Sequence, residues 1–83
     1  MFSRMKLMTK SLGHNFELVV PNDETDLKQD ISGFLVGTGG KLNIMNSNGQ
    51  DVILNVTEGV VYPLNAKRIL ETGTTAQGIV ILY

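Results

Sequence analysis

The sequence predicts an all-β protein, a small antiparallel β-sandwich or barrel with an extended or short helical N-terminal arm. Three observations lead to this prediction. Short apolar runs succeed one another from Ile31 to Tyr83, and most are separated by glycine, asparagine or proline. Several of the runs alternate apolar and polar residues, which is the period of a half-buried strand. The chain has only 83 residues, which is enough for one hydrophobic core.

The chain is expected to begin with an arm. Phe2, Met5 and Met8 lie at helical spacing, which indicates a short helix or an extended segment that docks on a partner. A frayed terminus is the alternative. We therefore assign residues 1–15 to an N-terminal arm and residues 16–83 to a single β-sandwich domain.

The first elements of the domain are a strand, an acidic segment and a second strand. Phe16–Val20 is expected to be a strand, which Pro21-Asn22-Asp23 ends. Glu24–Gln29 is expected to form either one helical turn or a loop. Ile31–Val36 is the next strand, and Gly37–Gly40 is expected to close it as a tight turn.

The clearest local element is a hairpin. Lys41–Met45 alternates apolar and polar residues, and Asn48-Gly49 follows it before the next apolar run, Asp51–Val56. Asn-Gly between two such runs predicts a type I′ turn, since both residues tolerate positive φ. In the return strand the side chains expected to point inward are Val52, Leu54 and Val56.

Three further runs complete the predicted sheet. Val60–Tyr62 is a short strand that ends at Pro63, Ala66–Leu70 is another, and Ile79–Tyr83 is the last. Alternation in the last run puts apolar residues on both faces, with Ile79, Ile81 and Tyr83 on one of them. A strand that is apolar on both sides is covered on both sides. Either a neighbouring subunit covers it, or it is the central strand of a thin sandwich with one face half-covered.

The inventory of reactive side chains predicts that the protein is not an enzyme. No cysteine is present and His14 is the single histidine, which excludes disulfides, cysteine nucleophiles and the common zinc sites. His14 has no serine or carboxylate partner within a motif. Hydroxyl groups without a neighbouring base are expected to hydrogen-bond within a turn, as at Thr72, Thr74 and Thr75.

Two local patterns resemble ligand sites only in part. The carboxylates Asp23, Glu24 and Asp26 lack the glycine and the distal glutamate of a calcium loop. The glycines of residues 37–40 lack the Lys-Ser/Thr pair and the helix of a phosphate loop. We therefore predict no catalytic residue, no cofactor and no bound metal.

Charge and hydropathy limit the class of partner. The net charge is −1, with a basic segment before residue 15 and an acidic one over residues 17–30. No dense Lys/Arg patch with interleaved aromatics marks a nucleic-acid surface, and no apolar run reaches the length of a membrane span. Neither nucleic acid nor membrane is an expected partner. We expect no signal peptide and synthesis in a reducing cytoplasm.

Residues 21–83 carry a specific order of turn and strand residues. The order runs through Pro21–Asp23, Asp26-Leu27, Phe34–Gly40, Asn48-Gly49, Gly59, Pro63 and Arg68-Ile69, and ends in Thr72–Tyr83. Its most specific part is Thr72–Val80. This order and spacing resembles a family of small phage head accessory proteins, which includes the spike-base proteins of gene transfer agents. Residues 1–20 are not part of the pattern, which leaves the mode of attachment to the shell open.

The resemblance implies a β-sandwich subunit on the outside of a phage capsid, as a decoration or cement protein or as the base of a head spike or fibre. The implied partners are further copies of the chain and the major capsid protein, with a spike or fibre protein beyond them. The implied location is the virion surface after synthesis in a bacterial cytoplasm. From the residues themselves, the candidate interface side chains are Phe2, Met5, Met8, Ile79, Ile81 and Tyr83.

Two other classes remain open at the level of sequence. A small β-barrel module that binds a glycan or nucleic acid would present exposed aromatics for stacking. A tail or baseplate subunit of the same sandwich type would differ in its place in the particle.

Overall fold

The structure, a computed structural model, describes residues 15–83. Its six strands are β1 (Phe16–Val19), β2 (Gly33–Thr38), β3 (Gly40–Met45), β4 (Asp51–Val56), β5 (Arg68–Leu70) and β6 (Gln77–Leu82). They form two antiparallel sheets of three strands, the first in the order β1-β6-β2 and the second in the order β4-β3-β5. The all-β prediction is confirmed, and residues 15–83 contain no helix. The predicted arm, with Phe2, Met5 and Met8, lies outside the described residues.

One core joins the two sheets. Its largest wholly buried side chains come from both of them, namely Phe34, Val36, Leu42, Ile69 and Ile79. Alternate residues of each strand point to this core because successive side chains in a strand face opposite ways. The burial of β2, with Phe34 and Val36 inside and Leu35 half-buried, follows that rule.

The glycine run between β2 and β3 does not form the predicted tight turn. Gly37 still belongs to β2, Gly40 already begins β3, and Gly39 alone connects the first sheet to the second. A Cβ on Gly39 would lie 2.9 Å from the Val56 carbonyl oxygen and 2.7 Å from Glu58 Oε1. The chain therefore needs glycine here because two backbones pass close together.

The predicted hairpin is present, but its turn is not of type I′. Gly49 has a φ of 83°, whereas Asn48 does not have a positive φ. The turn is closed by the Gly49 N–H, which donates to the Asn46 carbonyl oxygen at 3.0 Å. Asn46 Oδ1 also accepts the N–H groups of Asn48 and Gln50 at 2.9 and 3.1 Å. Asparagine side chains stabilise such a turn by mimicking a backbone acceptor.

Burial along β4 differs from the sequence pattern. Val56 is buried and Leu54 half-buried as predicted, but Val52 is 54% exposed. β4 is an edge strand, and only its C-terminal half packs against the core. Alternation predicts correctly which face of β4 carries Val52. How far its side chain is buried depends on how far the opposite sheet extends.

The predicted strand Val60–Tyr62 is reduced to a single β-bridge between Tyr62 and Phe34. The two residues exchange backbone hydrogen bonds of 2.8 and 3.0 Å, and their rings stack with centroids 5.6 Å apart. Pro63 follows and cannot extend a ladder. The segment Glu24–Gln29 is a loop, the second of its two predicted alternatives.

Replacing Phe34 tests the position of the core. Phe34→Ala should lower the free energy of unfolding by about 3–5 kcal/mol, since it removes a wholly buried ring. Leu64→Ala is the control, because Leu64 is an exposed apolar side chain, and should change the free energy by less than about 0.5 kcal/mol. Urea denaturation followed by circular dichroism measures both, and equal losses would contradict this description of the core.

Candidate assembly surfaces

Strand β6 is the central strand of the first sheet, and its two faces differ. Ile79 and Ile81 are 1% and 3% exposed and contribute to the core of the chain itself. Val80 and Leu82 are half-buried on the opposite face. This matches the second of the two alternatives for the strand, a central position with one face half-covered. The side chains of β6 within reach of another surface are therefore Val80 and Leu82.

Tyr83 lies just after β6 and is half-buried. Its backbone pairs with Asn15, and its hydroxyl donates to Glu17 Oε1 at 3.2 Å. These bonds fasten the end of β6 to the start of β1. Of the candidate interface residues, Phe2, Met5 and Met8 lie outside the described residues, and the assignment of Ile79, Ile81 and Tyr83 to an interface stays a prediction.

A larger apolar surface lies on the outer face of the first sheet. Its most exposed members belong to β1 and the residue that follows it: Phe16 is 76% exposed and Leu18 69%, and Val20 is also exposed. The half-buried Leu35, Val80 and Leu82 continue it across the sheet. Interpretation of the sequence missed this surface, although the alternation of Phe16, Leu18 and Val20 was its signal.

Two of the four sheet edges are covered by irregular segments of the same chain. Along β2, Tyr62 pairs with Phe34, and the Gly59 N–H donates to the Val36 carbonyl oxygen at 3.1 Å. Along β5, the Asn22 N–H donates to the Ile69 carbonyl oxygen at 2.8 Å, and the Leu27 N–H donates to Lys67 at 2.7 Å. These contacts satisfy backbone groups that an edge strand would otherwise present.

The other two edges, of β1 and β4, are open within residues 15–83, and we call them the two open edges. β1 pairs only with β6, and β4 pairs only with β3. Both strands carry exposed apolar side chains, Phe16 and Leu18 on β1 and Val52 and Ile53 on β4. Exposed apolar edge strands are templates for pairing with another chain.

The acidic segment after β1 is fastened to the second sheet by Asp23. One carboxylate oxygen accepts the N–H groups of Glu71 and Thr72 at 2.8 and 2.9 Å, and the other accepts the Thr72 hydroxyl at 2.6 Å. These hydrogen bonds, with the Thr72 hydroxyl first, lower the pKa of Asp23 below its usual 3.8. Arg68 adds a 2.8 Å ion pair with Asp26. Both carboxylates thus have structural partners.

The threonines of the loop after β5 also have structural roles. The Thr74 hydroxyl accepts the Asn43 N–H at 3.0 Å, and the Thr75 hydroxyl accepts the Lys41 N–H at 2.9 Å. Asn43 Nδ2 donates to the Thr72 carbonyl oxygen at 2.9 Å. The loop thus buries the side chain of Asn43, which lies on the outer face of β3. The expectation of a hydrogen-bonded turn is confirmed.

Other kinds of site find little support in residues 15–83. No group of three or more metal-ligating side chains converges in this range. An open groove of about 210 Å³ lies between β1 and the loop of residues 22–29, and none of its lining residues is aromatic. No helix in the described part is long and apolar enough to cross a membrane.

Comparisons with known proteins include an informative match to a solved structure. No protein-family model matches the chain, and no curated protein matches it significantly. The structure is similar to a chain of the solved capsid of the native gene transfer agent (GTA) particle, computed with C5 symmetry. The TM-score is 0.80 at 32% sequence identity, over 86% of this chain and 83% of that chain.

The hydrogen bonds of Asp23 predict a pH dependence of stability. Because the pKa is lowered by folding, the ionised carboxylate stabilises the fold above pH 3.8, and this contribution is lost as the pH falls below that value. Asp23→Asn should lower the melting temperature at pH 7, and its difference from the unmodified chain should shrink on acidification. Glu24→Gln is the control for removing a charge from this segment. Thermal melts from pH 7 to pH 2 measure both, and a difference that stays constant would contradict the assignment.

Proposed function

This chain belongs to the family of the GTA capsid chain that it matches, and we propose that it is a structural protein of a phage or phage-like particle. It lies on the outside of the capsid, as a decoration or cement protein or as the base of a head spike or fibre. It acts by association between subunits and catalyses no reaction. Its location is the virion, after synthesis in a bacterial cytoplasm.

The observation that supports this proposal most directly is the match to a capsid chain along most of both chains. Sequence identity above 30% over that length reflects common descent and not fold alone. The exposed apolar outer face of the first sheet is consistent with a protein whose working state is an assembly. The partners proposed are further copies of the chain, the major capsid protein and a spike or fibre protein.

The alternatives find less support in the structure. A glycan or nucleic-acid module requires exposed aromatic rings along a groove. The groove beside β1 has no aromatic lining, since the exposed Phe16 does not line it, and the wholly buried Phe34 stacks on Tyr62. A tail or baseplate subunit would share the fold, so the position of the chain in the particle decides between head and tail.

The location can be tested on particles from the cell that encodes this chain. We expect mass spectrometry to find the chain in purified particles and in isolated heads, but not in isolated tails. A particle made without the gene should keep its shell and lose density outside it in electron cryomicroscopy. Absence of the chain from purified particles would refute the proposal, and its presence in tails alone would favour the tail subunit.

A further inference from the structure

We propose that copies of this chain join head to tail through the two open edges, with β1 of one copy pairing antiparallel to β4 of the next. The inference rests on the self-association included in the proposed function, and it names the surface that carries it. One contact of this kind completes both edges that residues 15–83 leave open. The occupant of each edge is a second copy of the chain.

The backbone of β1 presents specific groups to its open edge. Asn15 and Tyr83 exchange hydrogen bonds of 2.7 and 2.9 Å. Since such pairs alternate along an antiparallel ladder, Glu17 and Val19 also turn their backbone groups towards β6. The N–H and C=O groups of Phe16 and Leu18 therefore point outward. No backbone hydrogen bond within residues 15–83 occupies them.

The backbone of β4 also presents specific groups to its open edge. Lys41 and Met45 of β3 accept hydrogen bonds of 2.8 Å from the β5 side, donated by Thr75 and Lys67. Alternate residues of β3 therefore face β5 with their backbone groups. The residues of β4 opposite them are Asp51, Ile53 and Asn55. The backbone N–H and C=O groups of these three residues therefore point to the open edge.

One register brings the exposed apolar side chains together. Pairing Leu18 with Ile53 of the next copy joins outward groups to outward groups, and both side chains then lie on the outer face of the joined sheet. Both are largely exposed in the single chain, Leu18 at 69% and Ile53 at 52%.

The neighbouring positions in this register are also compatible. Val19 lies opposite Val52 of the next copy, which gives a second apolar pair. Glu17 lies opposite Leu54, so no like charges face each other across the contact. The register thus pairs outward backbone groups, forms two apolar pairs and opposes no like charges.

A single kind of contact distinguishes this arrangement from pairing of identical edges. If β1 paired with β1 and β4 with β4, each copy would need two different two-fold contacts, whereas one head-to-tail contact uses both edges. A single head-to-tail contact can close into a ring when its rotation allows. A ring leaves no open edge, which prevents uncontrolled sheet growth.

The absence of cysteine allows a direct test in the full chain. Leu18→Cys and Ile53→Cys are made separately, and one is isotopically labelled so that mass spectrometry identifies each partner. Directly paired residues have Cα atoms roughly 5.5 Å apart, within the range that a disulfide spans. After mixing and mild oxidation we expect the mixed disulfide to dominate both identical pairs. The double variant should give a covalent ladder that ends at a closed ring.

Charge substitutions provide the second measurement. Leu18→Lys and Ile53→Lys should each convert the oligomer of the unmodified chain to a monomer in light scattering, because each places an unpaired charge in an apolar contact. Val61→Lys is the matched control, because Val61 is 47% exposed and belongs to the segment that covers the edge of β2. It should keep the oligomer. Dominance of identical disulfides, or a monomer at every concentration, would overturn the inference.

The two proposals fail in different ways. A chain found in particles but monomeric in solution would retain the proposed function and remove the head-to-tail contact. A ring with the mixed disulfide in a chain absent from particles would do the reverse.

Discussion

The fold depends on Phe34, whose side chain and backbone hold three parts of the chain together. Its ring is wholly buried between the sheets and stacks on Tyr62. Its backbone pairs with Tyr62 on one side, and Phe34 lies opposite Ile81 of β6 on the other. The same residue therefore forms the centre of the core and closes one edge of the first sheet. Burial of this ring contributes about 1.5–3 kcal/mol of hydrophobic stabilisation.

Several features that resemble functional sites in the sequence serve to fasten irregular segments. Asp23 binds the backbone of the loop after β5, and the threonines of that loop bind β3. A chain with about half of its described residues outside regular strands must satisfy many backbone groups by such contacts. Short polar side chains suit this task because they reach nearby N–H groups at little entropic cost. Their clustering therefore has a role in holding the fold together.

The distribution of covered and open edges connects the fold to assembly. Irregular segments cover β2 and β5, whereas β1 and β4 remain available within the described residues. A small protein buries too little surface to be very stable alone, and association adds buried surface without lengthening the chain. Membership in the family of a capsid chain is consistent with a protein that buries additional surface by association. In a closed assembly built from one repeated contact, each subunit makes that contact with two neighbours and gains stability from both.

The sequence by itself determined the fold class, the hairpin of β3 and β4 and the absence of cysteine chemistry, because these depend on local alternation and residue type. Tertiary structure decided the rest. Alternation showed that Ile81 and Val80 face opposite ways, but not which face the second sheet would cover. It placed Val52 inward, although the opposite layer stops short of it. Glycine is required at position 39 because the distant Val56 passes close to it. One edge of β1 is open within residues 15–83 because β1 pairs there only with the distant β6. Local patterns determine which way a side chain points, whereas only the packing of distant segments determines what lies in front of it.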